Sequence, residues 1–260
     1  MELLLQATVR LPSMRILPSR RIRRIVVVTI GLFGPRTAVA QGWEVPKPAV
    51  DLKAGTANYK VTLEARGETA TMDVTRTTKS EAGNWVVTNT TRMGKRVQTD
   101  EITVEKKTLI IRKRLFHAGD ATADLAFNGH TVTGSIADSK DRQTVNTDMG
   151  GVIFADGSGG EDILAALPLA KGYSTEFRNF NIGSLQVKTL QLRVMDSETI
   201  TVPAGTFDTW KVIIAPNDGG SDTYGLWVEK ATHRVIKVAI SVPNLGDALA
   251  TAELERISAR

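Results

Sequence analysis

Apolar and polar residues alternate with a period of two through most of this chain, and no other feature narrows its fold as much. Tyr59, Val61, Leu63 and Ala65 alternate with Lys60, Thr62, Glu64 and Arg66. A strand sends successive side chains to opposite faces, so this pattern specifies a strand with one buried face. The same texture predicts strands at about 68–78, 84–92, 96–104, 108–117, 121–127, 130–137 and 141–148. It resumes at about 185–202, 206–214, 221–229, 232–242 and 248–257, where Ile236, Val238, Ile240 and Val242 form the cleanest apolar row. The breaks between these runs are short, and short connections join only antiparallel neighbours. The expected fold is mainly β, a curved antiparallel sheet in the form of an open barrel or half-barrel, its first half an up-and-down meander.

Three local features refine that expectation. Asn128-Gly129 is the strongest hairpin signal, since both residues tolerate the positive φ of a type I′ turn. Between Val187 and Leu190 the apolar phase slips by one residue, which predicts a β-bulge. In "VPAGTF", Val202 ends a strand, Pro203 presets φ for a corner, Gly205 supplies a conformation other residues resist and Phe207 starts the return. Backbone geometry accounts for this stretch, so it reads as a hairpin and not as a site.

One helix is expected, from Glu161 to Leu167. It follows Asp156-Gly157-Ser158-Gly159-Gly160, carries Glu161 and Asp162 where the helix dipole favours negative charge, and stops at Pro168. Ile163, Leu164 and Leu167 form its apolar side. So short a helix cannot persist alone in water and must dock on the open face of the sheet, with the run Gly157 to Gly160 as its hinge.

The amino end directs the chain out of the cytoplasm. Arg20, Arg21, Arg23 and Arg24 precede the apolar run Ile25 to Gly34, then Pro35 and Ala38-Val39-Ala40, in the order of a secretory signal. The run is about half of the ~20 residues a spanning helix needs, so no stable membrane span is expected. Cleavage is expected after Ala40, with Met14 an alternative start. The general secretory route is favoured over twin-arginine export, because Arg23 follows Ser19-Arg20-Arg21 where an apolar residue is wanted. The expected organisation is a cleaved signal over 1–41, a flexible segment over 42–56 and one β-rich domain over 57–260.

Removal of the signal changes the charge argument. Of the 33 basic residues seven arginines, and of the 28 acidic ones only Glu2, lie in 1–41, leaving 26 basic and 27 acidic residues. A chain so nearly neutral gives no electrostatic reason to bind nucleic acid or an anionic membrane. The absence of cysteine excludes disulfides, thiolate nucleophiles, cysteine zinc sites and a lipid-modified cysteine anchor. The product is expected to be periplasmic and not lipid-anchored.

Catalytic signatures are missing. The chain has no G-x-S-x-G elbow, no H-E-x-x-H and no G-x-x-x-x-G-K-[ST], and the glycine-rich stretch 157–160 lacks a phosphate-binding lysine. His117, His130 and His233 are far apart, and Asp138, Asp141 and Asp148 miss the calcium-loop spacing, so no metal or cofactor is expected. What remains is an apolar concavity. Trp85, Trp210 and Trp227 lie in separate strands and, with Ile163, Leu164 and Leu167, either line a pocket for an acyl chain or form ordinary core beneath the helix.

The stretches "ALPLAKGYSTEF", "ETITVPAGTFDTWKV" and "YGLWVEKATHRVIKV", in this order and spacing, resemble exported bacterial proteins grouped as domain of unknown function 3108 and its relatives. The likeness covers about 95–257 and is most specific from Ser197 to Val238. It implies a fold similar to the periplasmic lipoprotein carriers, a curved antiparallel sheet wrapped around a helical plug, and it brings no catalytic residues with it. Three functions follow as expectations: a non-catalytic carrier of a hydrophobic or lipid-like ligand, an envelope assembly partner that offers sheet edges to another protein, and a hydrolase with an unfamiliar site.

Overall fold

The computed structural model describes residues 44–220, 223–242 and 248–258, Val242 by its backbone only. The signal expected over 1–41 lies outside these residues. Eight strands come first: β1 (Gly55–Ala65), β2 (Glu68–Glu81), β3 (Asn84–Met93), β4 (Arg96–Glu105), β5 (Ile111–Ala118), β6 (Ala121–Asn128), β7 (Thr131–Ala137) and β8 (Arg142–Asp148). The helix α1 (Gly160–Ala165) follows, then β9 (Ser174–Asn181), β10 (Gln186–Val202), β11 (Gly205–Pro216), β12 (Thr223–Glu229), β13 (Val235–Val242) and β14 (Ala248–Ser258).

All fourteen strands form one curved antiparallel sheet in the order β8-β7-β6-β5-β4-β3-β2-β1-β14-β13-β12-β11-β10-β9. Two meanders are thus joined where β1 pairs with β14, with Tyr59 opposite Leu254 and Leu63 opposite Ala250. The sheet does not close: β8 and β9 are its edges. Cross-strand partners share a face, and the buried ones define the inner face. Val61 stands opposite Met72, Val87 opposite Ile102 and Ile240 opposite Ala250. Period-two patterning specifies this result because every second side chain leaves water together.

Several local expectations need correction. Asn128 is the last residue of β6 and pairs with Thr131, so the loop is Gly129-His130; only Gly129 has positive φ, at 59°, and the turn is not type I′. The bulge expected between Val187 and Leu190 is absent, since the β9–β10 ladder runs unbroken from Gln186↔Asn181 to Arg193↔Ser174. Val187 stands opposite Phe180, which is fully buried, so apolar residues in both phases are covered at that end. The register shifts instead between Val194 and Ser197. Strand β9 is an addition to the expected set, since Phe177 and Phe180, both buried, sit three residues apart and break the period of two. The "VPAGTF" turn is a two-residue loop in which Val202 pairs with Gly205, and the Ala204 N–H donates to the Leu254 carbonyl at 3.0 Å.

The connection from β8 to β9 leaves the sheet and crosses its inner face. Its backbone is tied to the strands near its two ends: Met149 N–H donates to His130 O at 2.6 Å and Phe154 N–H to Arg178 O at 2.9 Å, while Gly172 N–H donates to Val194 O at 3.3 Å and Val194 N–H to Tyr173 O at 2.8 Å. Ile153, Phe154, Ile163 and Leu167 on this segment are at most 1% exposed, so its apolar side chains complete the core. Helix α1 ends at Ala165, two residues before the expected Leu167, with Ala166 as its C-cap. A strap from the amino-terminal side lies over that end, where the N–H groups of Ala49 and Val50 share the Ala166 carbonyl at 2.8 and 3.2 Å.

Candidate functional site

Sequence patterning predicts an apolar contact between helix and sheet, and the apolar part is present. Ile163 is 0% exposed, Leu164 4% and Leu167 0%. Between these contacts, however, the segment is fastened to the sheet by two clusters of buried charge.

Arg76 on β2 anchors the first. Its Nη1 donates to Asp162 Oδ1 at 3.0 Å, its Nη2 to Glu161 Oε2 at 2.8 Å and its Nε to Asn89 Oδ1 at 2.9 Å. The guanidinium carbon lies 5.4 Å from the ring centroid of Tyr59, whose hydroxyl donates to the Val235 carbonyl at 3.0 Å. Arg114 on β5 anchors the second. It grips both oxygens of Asp100 on β4 at 3.0 Å each and reaches Asp156 Oδ2 at 3.0 Å. The other oxygen of Asp156 accepts from Asn179 Nδ2 at 3.0 Å, and Ser158 Oγ donates to the Val87 carbonyl at 3.1 Å.

In each cluster one arginine serves two carboxylates: around Arg114 this leaves one excess negative charge out of water, whereas the side chains of Glu161 and Asp162 on Arg76 stay 12% and 22% exposed. Burial raises the pKa of Asp156 and of Asp162, against the pull of Arg114 and Arg76. Burial also disfavours each charged guanidinium, but the paired carboxylates outweigh it and both arginines are held more firmly protonated than in water. Tyr59 is pushed up by its burial. Among the described residues every buried side-chain nitrogen and oxygen has a hydrogen-bond partner.

A signal for these arginines was available in the sequence. Arg76 is in phase with Met72 and Val74, Arg114 with Phe116, and Asp100 with Ile102 and Val104. A charged residue on the buried face of a strand needs a buried partner, because an unpaired buried charge is too costly to keep. Asp156, Glu161 and Asp162 read in sequence only as helix-entry residues, and nothing local says which cation each meets.

The three indoles do not share a surface. Trp85 stands opposite Val104 on the inner face, and its Nε1 donates to Asp51 Oδ1 at 2.5 Å. Trp210 is half-buried, pairs with Val228 and has Lys230 Nζ 4.5 Å from its ring centroid. Trp227 pairs with Lys211 and Lys237 on the outer face, with its Nε1 donating to Glu198 at 3.0 Å. A Cβ on Gly225 would come within 3.1 Å of that indole, which covers the bare backbone there. The histidines are scattered too. His233 reaches the Ala165 carbonyl through Nδ1 at 2.7 Å, and a carbonyl only accepts, so Nδ1 carries the proton. Among the described residues no three His, Asp or Glu side chains gather as a metal site.

Beside Arg76 a cavity of about 120 Å³ lies between the strap, β1 and the turn before β13, lined by Leu52, Tyr59, Arg76, Asp162, His233 and Arg234. A second, of about 480 Å³, includes Thr88, Thr99, Glu101, His117, Asp124 and Arg142 in its lining. In the second, the Thr88 hydroxyl donates to Glu101 Oε2 at 2.8 Å. The chemistry on view at α1 is the fastening of the segment to an apolar wall by ion pairs.

Residues 52–255 match the family described as Protein of unknown function (DUF3108). No curated protein matches the chain. Among solved structures it is similar to a beta-barrel-like protein of domain of unknown function DUF1849 from Brucella abortus, at 14% identity and a TM-score of 0.57, over 82% of this chain and 100% of that one. A LolA superfamily protein from Nitrosomonas europaea aligns at 9% identity and a TM-score of 0.25, over 80% and 86%. A DUF1329 family protein from Desulfovibrio piger aligns at 7% and 0.26, over 80% and 85%. The first likeness shows the fold; the other two are too distant to carry an argument. Among the described residues no helix is long and apolar enough to cross a membrane.

Proposed function

The chain belongs to the DUF3108 family, and on that premise we propose that it is an exported, periplasmic, non-catalytic carrier of a hydrophobic or lipid-like ligand, seen here in its closed form. One observation carries the reading: the apolar inner face of a continuous sheet is covered by an excursion, 149–173, that belongs to no strand ladder, with the amino-terminal strap laid over the end of its helix. A ligand with an apolar chain competes for the surface that Ile163, Leu164 and Leu167 now occupy. The order of basic, apolar and small residues over 20–40 supports export. The lack of a catalytic motif supports binding over chemistry.

The test truncates the plug. Leu164→Ala and the double variant Leu164→Ala/Leu167→Ala are expected to lose about 2 to 5 kcal/mol per site. With the native tryptophan emission retained, they should show saturable uptake of the neutral probe N-phenyl-1-naphthylamine above that of the parent. Loss of stability without uptake, in the single as in the double variant, means a filled core and no pocket. An envelope assembly role would then replace the carrier reading.

A further inference from the structure

The carrier reading turns on what the sheet keeps when the α1 segment moves away. Arg76, Arg114 and Asp100 belong to strands and stay, while Asp156, Glu161 and Asp162 leave with the segment. The two anchors then differ. Arg114 retains Asp100, both of whose oxygens it already holds at 3.0 Å, and remains a neutral pair. Arg76 loses both of its carboxylates and keeps the uncharged Asn89 and the face of Tyr59. The opened wall therefore carries one uncompensated guanidinium among apolar neighbours. An unpaired buried charge is strongly destabilising, and a purely apolar ligand offers nothing to meet it.

We propose that the ligand is an amphiphile with an anionic oxygen head group, a carboxylate or a phosphate, which replaces Glu161 and Asp162 on Arg76 while its chain covers the surface vacated by Ile163, Leu164 and Leu167. This inference rests on the carrier reading and adds the ligand's chemical class. Charge arithmetic favours the exchange. In the closed form Arg76 faces two carboxylates, whereas a single carboxylate head group makes a neutral pair and a phosphate brings no more charge than the two acids it replaces, and a guanidinium meets either through two parallel hydrogen bonds. Space is available at the same place, because the cavity of about 120 Å³ reaches Arg76 and also touches Lys53, His233 and Arg234. The head group thus sits towards the strap and the chain extends beneath the helix.

Titration calorimetry on the full mature chain with laurate, dodecyl phosphate, dodecanol and inorganic phosphate tests the proposal. Laurate and dodecyl phosphate should bind at least about tenfold more tightly than dodecanol, the return expected for a hydrogen-bonded charge pair. Inorganic phosphate alone should bind weakly or not at all. Arg76→Gln should erase the preference for the acids. Glu161→Gln/Asp162→Asn, which leaves Arg76 in place and frees it, should bind laurate more tightly than the parent, and it decides the matter should Arg76→Gln fail to fold. Equal binding of laurate and dodecanol overturns the head-group assignment while leaving a carrier. Inorganic phosphate binding as tightly as dodecyl phosphate overturns it too, in favour of a free-anion site. If the plug-truncated variants also take up no neutral probe, the carrier reading fails and the head-group assignment with it.

Discussion

Arg114 on β5 and Asp156 in the excursion across the inner face meet at 3.0 Å with 4% and 3% of their side chains exposed. The contact joins the wall of the sheet to the segment that fills it, 42 residues further along the chain. Buried charge pairs contribute little net stability over an apolar replacement, but removal of one partner is costly. The pair is thus better suited to holding the segment in one position than to raising stability.

Truncation of the arginine should therefore cost more than neutralisation of the acid. Arg114→Ala leaves Asp100 and Asp156 together without a cation and should lose about 3 to 5 kcal/mol. Asp156→Asn leaves the Arg114–Asp100 pair intact and should lose clearly less. Urea unfolding of the two variants checks the order, and equal losses would mean that Asp100 contributes nothing.

Acidification should favour the wild type relative to Asp156→Asn. Burial raises the Asp156 pKa above its unfolded value, so the folded state binds the proton more readily. Its contribution is fully present below the ordinary carboxyl range and is lost as pH rises through the folded pKa. The stability difference between wild type and variant should accordingly be more favourable to the wild type at about pH 4.5 than at about pH 7. The opposite trend would show a carboxylate held below the usual range by Arg114.

Gly205→Val should destabilise the fold and leave ligand preference untouched. Gly205 has φ of 139°, a conformation that a β-branched residue adopts only under strain of about 1 to 3 kcal/mol. A variant that melts like the parent yet loses binding would make the 202–207 turn a site.

Gly134→Ala should be the harsher of two glycine substitutions in neighbouring positions of the meander. A Cβ there would stand 2.0 Å from the Asp124 carbonyl oxygen, so the backbone must move. At Gly129 the added Cβ meets nothing within 4 Å, and only the conformational cost of about 1 kcal/mol remains. Thermal melting of the two alanine variants should separate them clearly.

The alternation at Tyr59, Val61 and Leu63, and at Val238 and Ile240, was sufficient to read those strands and their antiparallel relation to their chain neighbours, because the strand repeat is local and every second side chain shares an environment; the junction of β1 with β14 depends on the assembled sheet. The docked helix was legible for the same kind of reason: Ile163, Leu164 and Leu167 need a surface that so short an element cannot supply. The placement of Trp227 was not legible. A register shift between Trp227 and Val228 separates its phase from the rows beyond, and the pairing with Lys211 and Lys237 puts the indole outside.

The candidate site marks the division most clearly. In-phase Arg76, Arg114 and Asp100 announce charge on a buried face, and that much follows from local pattern and the cost of desolvation. Which carboxylates answer them follows only from the assembled sheet. Its curvature brings β2, β4 and β5 around one inserted segment, and sets Asp162 86 residues away against Arg76. Backbone periodicity reaches across a few residues, whereas the pairing of buried charges depends on through-space distances that exist only after the chain has closed around its own segment.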